Sequence, residues 1–333
     1  MATPTTPQPA IKENVLNSNR NKPERWKDDI AKSVDFYNKW FLAFAPKAFR
    51  ETRIETTKTV EEALPKTRYL RDISPEMLLE NPDVVPMLRM STCPPIARDR
   101  LIGLSGVPSS LVGSLESGRI PPRMDKSLLK DNLKKIGHII ERMADRDIFV
   151  WLNRQTDGTQ EEIHRAATII ADRLCGAVAD PIIRNAQEKR QLKAMQEWLE
   201  ARDYRLLKPD EATSFDKMPL GTFSFRFNVP VYQEDNRKVN IPIDAVVMPK
   251  NASPGGYPLL IEAKSAGDFT NVNKRRKEEA AKMILLRKTY GDKIRFNLFL
   301  CGYFDSGYLG FEAAEGIDWV WEHRIDDLAD FGL

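Results

Sequence analysis

The chain has 333 residues, a formal net charge of +3, and 41% hydrophobic and 30% charged residues. That length suits two domains of ordinary size, and no apolar run approaches the ~20 residues of a membrane-spanning helix. Three widely spaced cysteines (Cys93, Cys175, Cys301) argue against a disulfide framework and for reduced thiols in a cytoplasm. Three scattered histidines offer neither zinc spacing nor a Ser-His-Asp set.

Residues 1–22 are rich in Thr, Pro and Asn without periodicity and read as a disordered tail. Trp26, Ile30, Val34, Tyr37, Trp40, Phe41 and Phe44 then recur at helical spacing, and the helix is expected to end before Pro46. Residues 51–96 read as short helices punctuated by prolines. Residues 97–119 resemble a repressor-like helix-turn-helix, with Leu101 and Leu104 on the first helix and a turn at Gly106-Val107. Its second helix carries Leu111, Val112 and Leu115 inward and closes at Gly118. Such a helix offers its first residues to the major groove, here Ser109 and Ser110, with Ser114 one turn on and Arg119 beyond. An ordinary helical hairpin in a core fits the same residues. Two more amphipathic helices follow, over 126–152 and 161–179.

Near residue 185 the pattern changes. A polar helix over Asn185–Arg202 keeps Leu192, Met195, Trp198 and Leu199 as its inner stripe, and Phe223, Phe225 and Phe227 then alternate with polar residues as in a half-buried strand. Two apolar runs follow, 241–248 and 258–264, joined by a Pro/Gly-rich turn. A basic helix over about 273–289 and strands near 294–301 and 317–321 complete the chain. The expected class is α/β (α+β): a mixed sheet with helices on its faces over 185–333, preceded by a mainly α-helical domain over 23–184.

The two apolar runs carry charge where a buried strand should have none: Asp244 in the first, Glu262 and Lys264 in the second. Ionised groups in such a place persist only when paired or bound to a metal. Period-two geometry puts Glu262 and Lys264 on one face. If Asp244 faces them from the neighbouring strand, two carboxylates and an ammonium meet at one point, the candidate active site. A merely salt-bridged sheet face would cost desolvation without gain over an apolar pair.

Ile243-Asp244 and Glu262-Ala263-Lys264 resemble the catalytic signature of the PD-(D/E)XK nucleases, with Ile in place of the name-giving Pro before Asp244. Three stretches outside that core, Trp26–Ile30, Phe44–Arg50 and Ser91–Arg100, make the chain more closely similar to the XamI-type type II restriction endonucleases. The resemblance implies a PD-(D/E)XK mixed-sheet core over 185–333 and Mg²⁺-dependent cutting of both strands of double-stranded DNA at a short palindrome, GTCGAC by the family's specificity. It further implies 5′-phosphate ends, a homodimer, a cognate DNA methyltransferase and a bacterial cytoplasm. The region 23–184 would then serve recognition and dimerisation.

Asp244, Glu262 and the backbone carbonyl of Ala263 are hard oxygen donors that suit Mg²⁺. Lys264 would orient or deprotonate the attacking water, with a pKa depressed by the metal. Glu188 on the preceding helix is the candidate fourth catalytic residue, a further carboxylate that would complete the site. Asn271, Asn273, Lys274, Arg275, Arg276 and Lys277 crowd the start of the basic helix. Cations there oppose the helix dipole, and a DNA phosphate at that terminus would resolve the conflict. Two rivals remain at this stage: a non-enzymatic helix-turn-helix regulator with a degenerate nuclease fold, and a repair-type nuclease of the same superfamily.

Overall fold

A computed structural model describes residues 19–333 apart from 209, 210, 212, 213, 234 and 271, and excludes the side chains of 272–276. In chain order the helices are α1 (Pro23–Lys66), α2 (Pro75–Glu80), α3 (Val85–Met90), α4 (Arg98–Ser105), α5 (Ser109–Glu116), α6 (Lys126–Met143), α7 (Gln160–Glu200), α8 (Val272–Tyr290) and α9 (Ser306–Ala314). The strands are β1 (Arg205–Leu206), β2 (Thr222–Tyr232), β3 (Lys238–Met248), β4 (Leu259–Ala266), β5 (Arg295–Gly302) and β6 (Asp318–Trp321).

Two helices are longer than the sequence suggests. α1 runs through Pro46 and Pro65, and α7 runs through Pro181 and joins the two segments read as separate helices. An interior proline costs a helix ~3 kcal/mol. The residues after Pro46 and Pro181 are helix formers rather than turn residues, and burial of Ala45, Ala48, Ala179 and Met195 along the same helices offsets that cost.

The chain forms two compact units. Ala43–Arg184 is helical around one core that includes Leu64, Leu78, Met87, Leu88, Leu133 and Trp151. Within it α4 and α5 form the hairpin expected at 97–119. Gly106 takes φ 64° at the end of α4, a conformation glycine adopts without strain, and Leu111, Val112 and Leu115 are buried. Leu104 is exposed, so Leu101 alone of the two anchors the first helix.

The other unit comprises the chain up to Leu42 together with Asn185–Leu333, so the first half of α1 groups with the sheet-bearing region. Residues 1–18 of the expected tail lie outside the described residues. Asn19 and Arg20, also within that stretch, donate their backbone N–H groups to Asp318 Oδ1, each over 3.0 Å.

The sheet is mixed, in the order β1-β2-β3-β4-β5-β6. β2, β3 and β4 form antiparallel pairs, whereas β4-β5 and β5-β6 are parallel pairs joined through α8 and α9. A parallel pair requires such a crossover. One face packs Phe223, Ala245, Val247, Leu259 and Ile261 against Leu192, Met195, Trp198 and Leu199 of α7. The other packs Ile243, Val246, Leu260, Phe296 and Leu298 against Met283 and Leu286 of α8 and Leu309 of α9. Burial of each of the larger aliphatic and phenyl side chains is worth roughly 1.5–3 kcal/mol.

The β2–β3 hairpin changes faces along its length. Phe223 and Phe225 lie with the α7 core, but Val229 and Val231 lie with the α8 core, without a register shift. The change falls at Arg226, which has φ 52° and no ladder partner; its register position is opposite Asp244. A left-handed residue breaks the pleat, so alternation restarts on the other side.

Candidate active site

β4 lies between β3 and β5 and is covered on both faces, so its alternate residues enter two different cores. Leu259 and Ile261 point into the α7 core and Leu260 into the α8 core. Continued alternation delivers Glu262 and Lys264 to the α8 side. Lys264 Nζ lies 3.2 Å from Glu262 Oε1 and 2.9 Å from Glu279 Oε1 of α8. Lys282 Nζ, one turn along α8, lies 2.7 Å from the same Glu262 oxygen and donates to the Pro242 carbonyl over 3.3 Å.

Asp244 enters from β3. The ladder between β3 and β4 has Ala245 opposite Ile261, and the next register position would pair Asp244 with Glu262. There the Asp244 side chain replaces the backbone: Ala263 donates its N–H to Asp244 Oδ2 over 2.8 Å. Burial first, and the charge of Glu262 second, push the Asp244 carboxyl up to about 6. Burial works against the Lys264 ammonium, but Glu262 and Glu279 outweigh it and the Lys264 pKa rises. The depression expected of Lys264 rested on a bound metal; the chain's own residues act in the opposite sense and keep this side chain charged.

The family model described as XamI restriction endonuclease matches residues 68–321. The chain belongs to this family. It is 51% identical over 314 residues to the type II restriction enzyme SalI of Streptomyces albus G, covering 94% of this chain and 99% of that one. A crystal structure of protein VC1899 from Vibrio cholerae aligns at 11% identity and TM-score 0.26, over 82% of this chain and about half (54%) of that one, too remote to inform the fold. Family membership makes the chain a restriction endonuclease, a site-specific deoxyribonuclease with DNA as its substrate.

The acidic donors fit a divalent cation. Asp244, Glu262 and Glu279 bring three carboxylates against the two ammoniums of Lys264 and Lys282, leaving negative charge in excess. Glu262 Oε2 is buried without a hydrogen-bond partner, while Oε1 takes both lysines. An orphaned carboxylate oxygen beside an aspartate whose charge is disfavoured is the setting a hard cation relieves. Among the described residues no cluster of three or more His, Cys, Asp or Glu side chains is arranged to hold a metal by itself.

The other expected residues are placed as follows. Glu188 of α7 accepts a hydrogen bond from Arg226 over 2.8 Å, so its carboxylate is engaged by β2 and not by the lysines of the site. Gln191, one turn on, contacts both β4 and β5, donating to the carbonyls of Lys264 (3.4 Å) and Phe299 (3.1 Å) respectively. Lys277 is exposed on α8. Asn271 and the side chains of Asn273, Lys274, Arg275 and Arg276 lie outside the described residues. In the helical unit, Ser109 and Ser110 are exposed in the first turn of α5, Ser114 is half-buried, and Arg119 is exposed beyond it.

Sequence reasoning missed Glu279, Lys282 and Glu312. Glu279 and Glu312 are both buried, and Glu312 is pushed up to about 8, by burial first and by the charge of Glu279 second. A signal for Glu279 existed: positions 279, 283, 286 and 290 form one stripe whose other members are Met283, Leu286 and Tyr290. A carboxylate on an apolar stripe is as anomalous as one on an apolar strand.

Proposed function

We propose that Asp244, Glu262 and Lys264 carry out hydrolysis of one phosphodiester in each strand of a short palindrome, leaving 5′-phosphate ends. The convergence of these three side chains, from two neighbouring strands, on one buried ion network carries this reading. Asp244 and Glu262, with the Ala263 carbonyl, would hold Mg²⁺. Bound there, Mg²⁺ would offset the charge building on the scissile phosphate and acidify the attacking water. The Ala263 N–H donates to Asp244 Oδ2 and so fixes the carboxylate that would help to hold the cation. Lys264 remains protonated between its carboxylates, which suits it to orient the water and stabilise transition-state charge by donation.

GTCGAC is the proposed target, supported by 51% identity to a named type II enzyme across nearly the whole chain. A palindrome presents two equivalent half-sites, so the working form is a homodimer. Host DNA carrying the same site needs protection, which calls for a methyltransferase of matching specificity in the same bacterial cytoplasm.

Plasmid and phage DNA incubated with Mg²⁺ or with chelator provide the test. Discrete Mg²⁺-dependent fragments ending at GTCGAC support the full reading. Discrete fragments with other ends overturn the target alone. Unbounded degradation indicates a repair-type nuclease, and binding without cleavage a regulator with a degenerate fold.

A further inference from the structure

We infer that Glu279 is the positioning residue for Lys264, acting on the cutting reaction through that ammonium. The inference rests on the role proposed for Lys264. Lys264 Nζ sits between Glu262 Oε1 at 3.2 Å and Glu279 Oε1 at 2.9 Å. The Glu262 oxygen is also held by Lys282 at the shorter distance of 2.7 Å. Among the described residues, Glu279 has no cation within salt-bridge distance other than Lys264. Glu262 is therefore divided between two lysines and, in the proposed reaction, a metal, whereas Glu279 serves one.

Burial strengthens the case. Glu279 is 1% exposed on the inner stripe of α8, where Met283 and Leu286 are its apolar companions. A buried ion pair seldom improves on an apolar pair for stability, so the placement is better explained by what it does to Lys264. Glu312 of α9, 0% exposed, is a second buried carboxyl, and burial first and the charge of Glu279 second push its pKa up. Two anionic oxygens flanking one ammonium hold a four-carbon side chain that would otherwise sample several rotamers.

The test is single-turnover cleavage of a duplex bearing the target, with DNA affinity measured in chelator and Tm for each variant. Glu279→Gln keeps the shape and removes the charge. The expected result is a cutting rate lower by about 100-fold, the scale of a displaced reacting group, with affinity and Tm nearly unchanged. Glu279→Asp, which keeps the charge, should recover part of the rate.

Wild-type cutting by Glu279→Gln overturns the inference. So does a rate loss accompanied by loss of affinity and Tm, which indicates a structural role, and so does full recovery at raised Mg²⁺, which indicates a metal ligand. If Glu279→Gln does not fold, Glu279→Asp decides: a reduced rate at unchanged affinity supports the inference and a full rate overturns it. Lys264→Met runs alongside. If it still cuts, the reading of Lys264 fails; if it is inert while Glu279→Gln cuts normally, only the inference about Glu279 fails.

Discussion

The backbone N–H of Ala263 donates to Asp244 Oδ2 over 2.8 Å at the point where the β3–β4 ladder gives way. A side chain thus completes a backbone pairing, and the same bond immobilises a proposed metal ligand. Asn can accept that bond through its own oxygen but cannot bring the charge. Asp244→Asn should therefore fold and bind duplex DNA as the parent does, while its cutting falls by roughly 1,000-fold, the worth of several kcal/mol of metal-assisted stabilisation. Single-turnover cleavage beside a binding titration checks this, and cutting within tenfold of wild type would remove Asp244 from the site.

Lys264 neutralises two buried carboxylates, so its loss should affect both chemistry and stability. Lys264→Met should abolish cutting with DNA affinity nearly intact, and should lower stability by about 3–5 kcal/mol, as when one partner of a buried pair is removed. Adding Glu279→Gln to that variant discharges the carboxylate left without a cation, since Glu262 keeps Lys282. Thermal melts should accordingly place the double variant above Lys264→Met alone, and a further drop in Tm would show that the two groups do not share a buried charge balance.

The strands of the candidate site were legible because Asp244, Glu262 and Lys264 break a rule: charge sits on runs that are otherwise apolar, and period two puts two of the three on one face. The α4–α5 hairpin was legible from its glycines and from Leu111, Val112 and Leu115. Pro46 and Pro181 misled, because a proline's cost is visible in the sequence and the burial along a long helix that offsets it is not. The change of faces at Arg226 has no sequence signature, since arginine is an uncommon residue at φ 52°. Glu279 was marked by the apolar stripe it shares with Met283 and Leu286, whereas Glu312 looked like a solvated carboxylate of an ordinary helix until the packing of α9 on the sheet showed it buried.

Glu312 gives the stability a specific pH dependence. Its carboxyl lies at about 8 in the folded protein against an ordinary 4.5, through burial first and then the charge of Glu279. The folded chain therefore holds a proton that the unfolded chain releases, and stability is lost as pH rises from about 4.5 to about 8. Glu312→Gln cannot titrate. Melts across that window should show the variant gaining on the parent steadily with pH, and a constant difference would show that Glu312 is already ionised in the folded state.

Glu188 distinguishes two readings of α7. A third catalytic carboxylate should be directed at the proposed metal ligands, but Glu188 accepts its bond from Arg226. Both side chains are partly exposed, at 38% and 64%, so the pair itself contributes at most ~1 kcal/mol. Glu188→Gln can still accept from Arg226 and should cut within a few-fold of wild type, with Tm nearly unchanged. Single-turnover rates at saturating Mg²⁺ decide the matter. A loss on the scale of Asp244→Asn would mean that Arg226 releases Glu188 when DNA binds, and that this carboxylate belongs to the site after all.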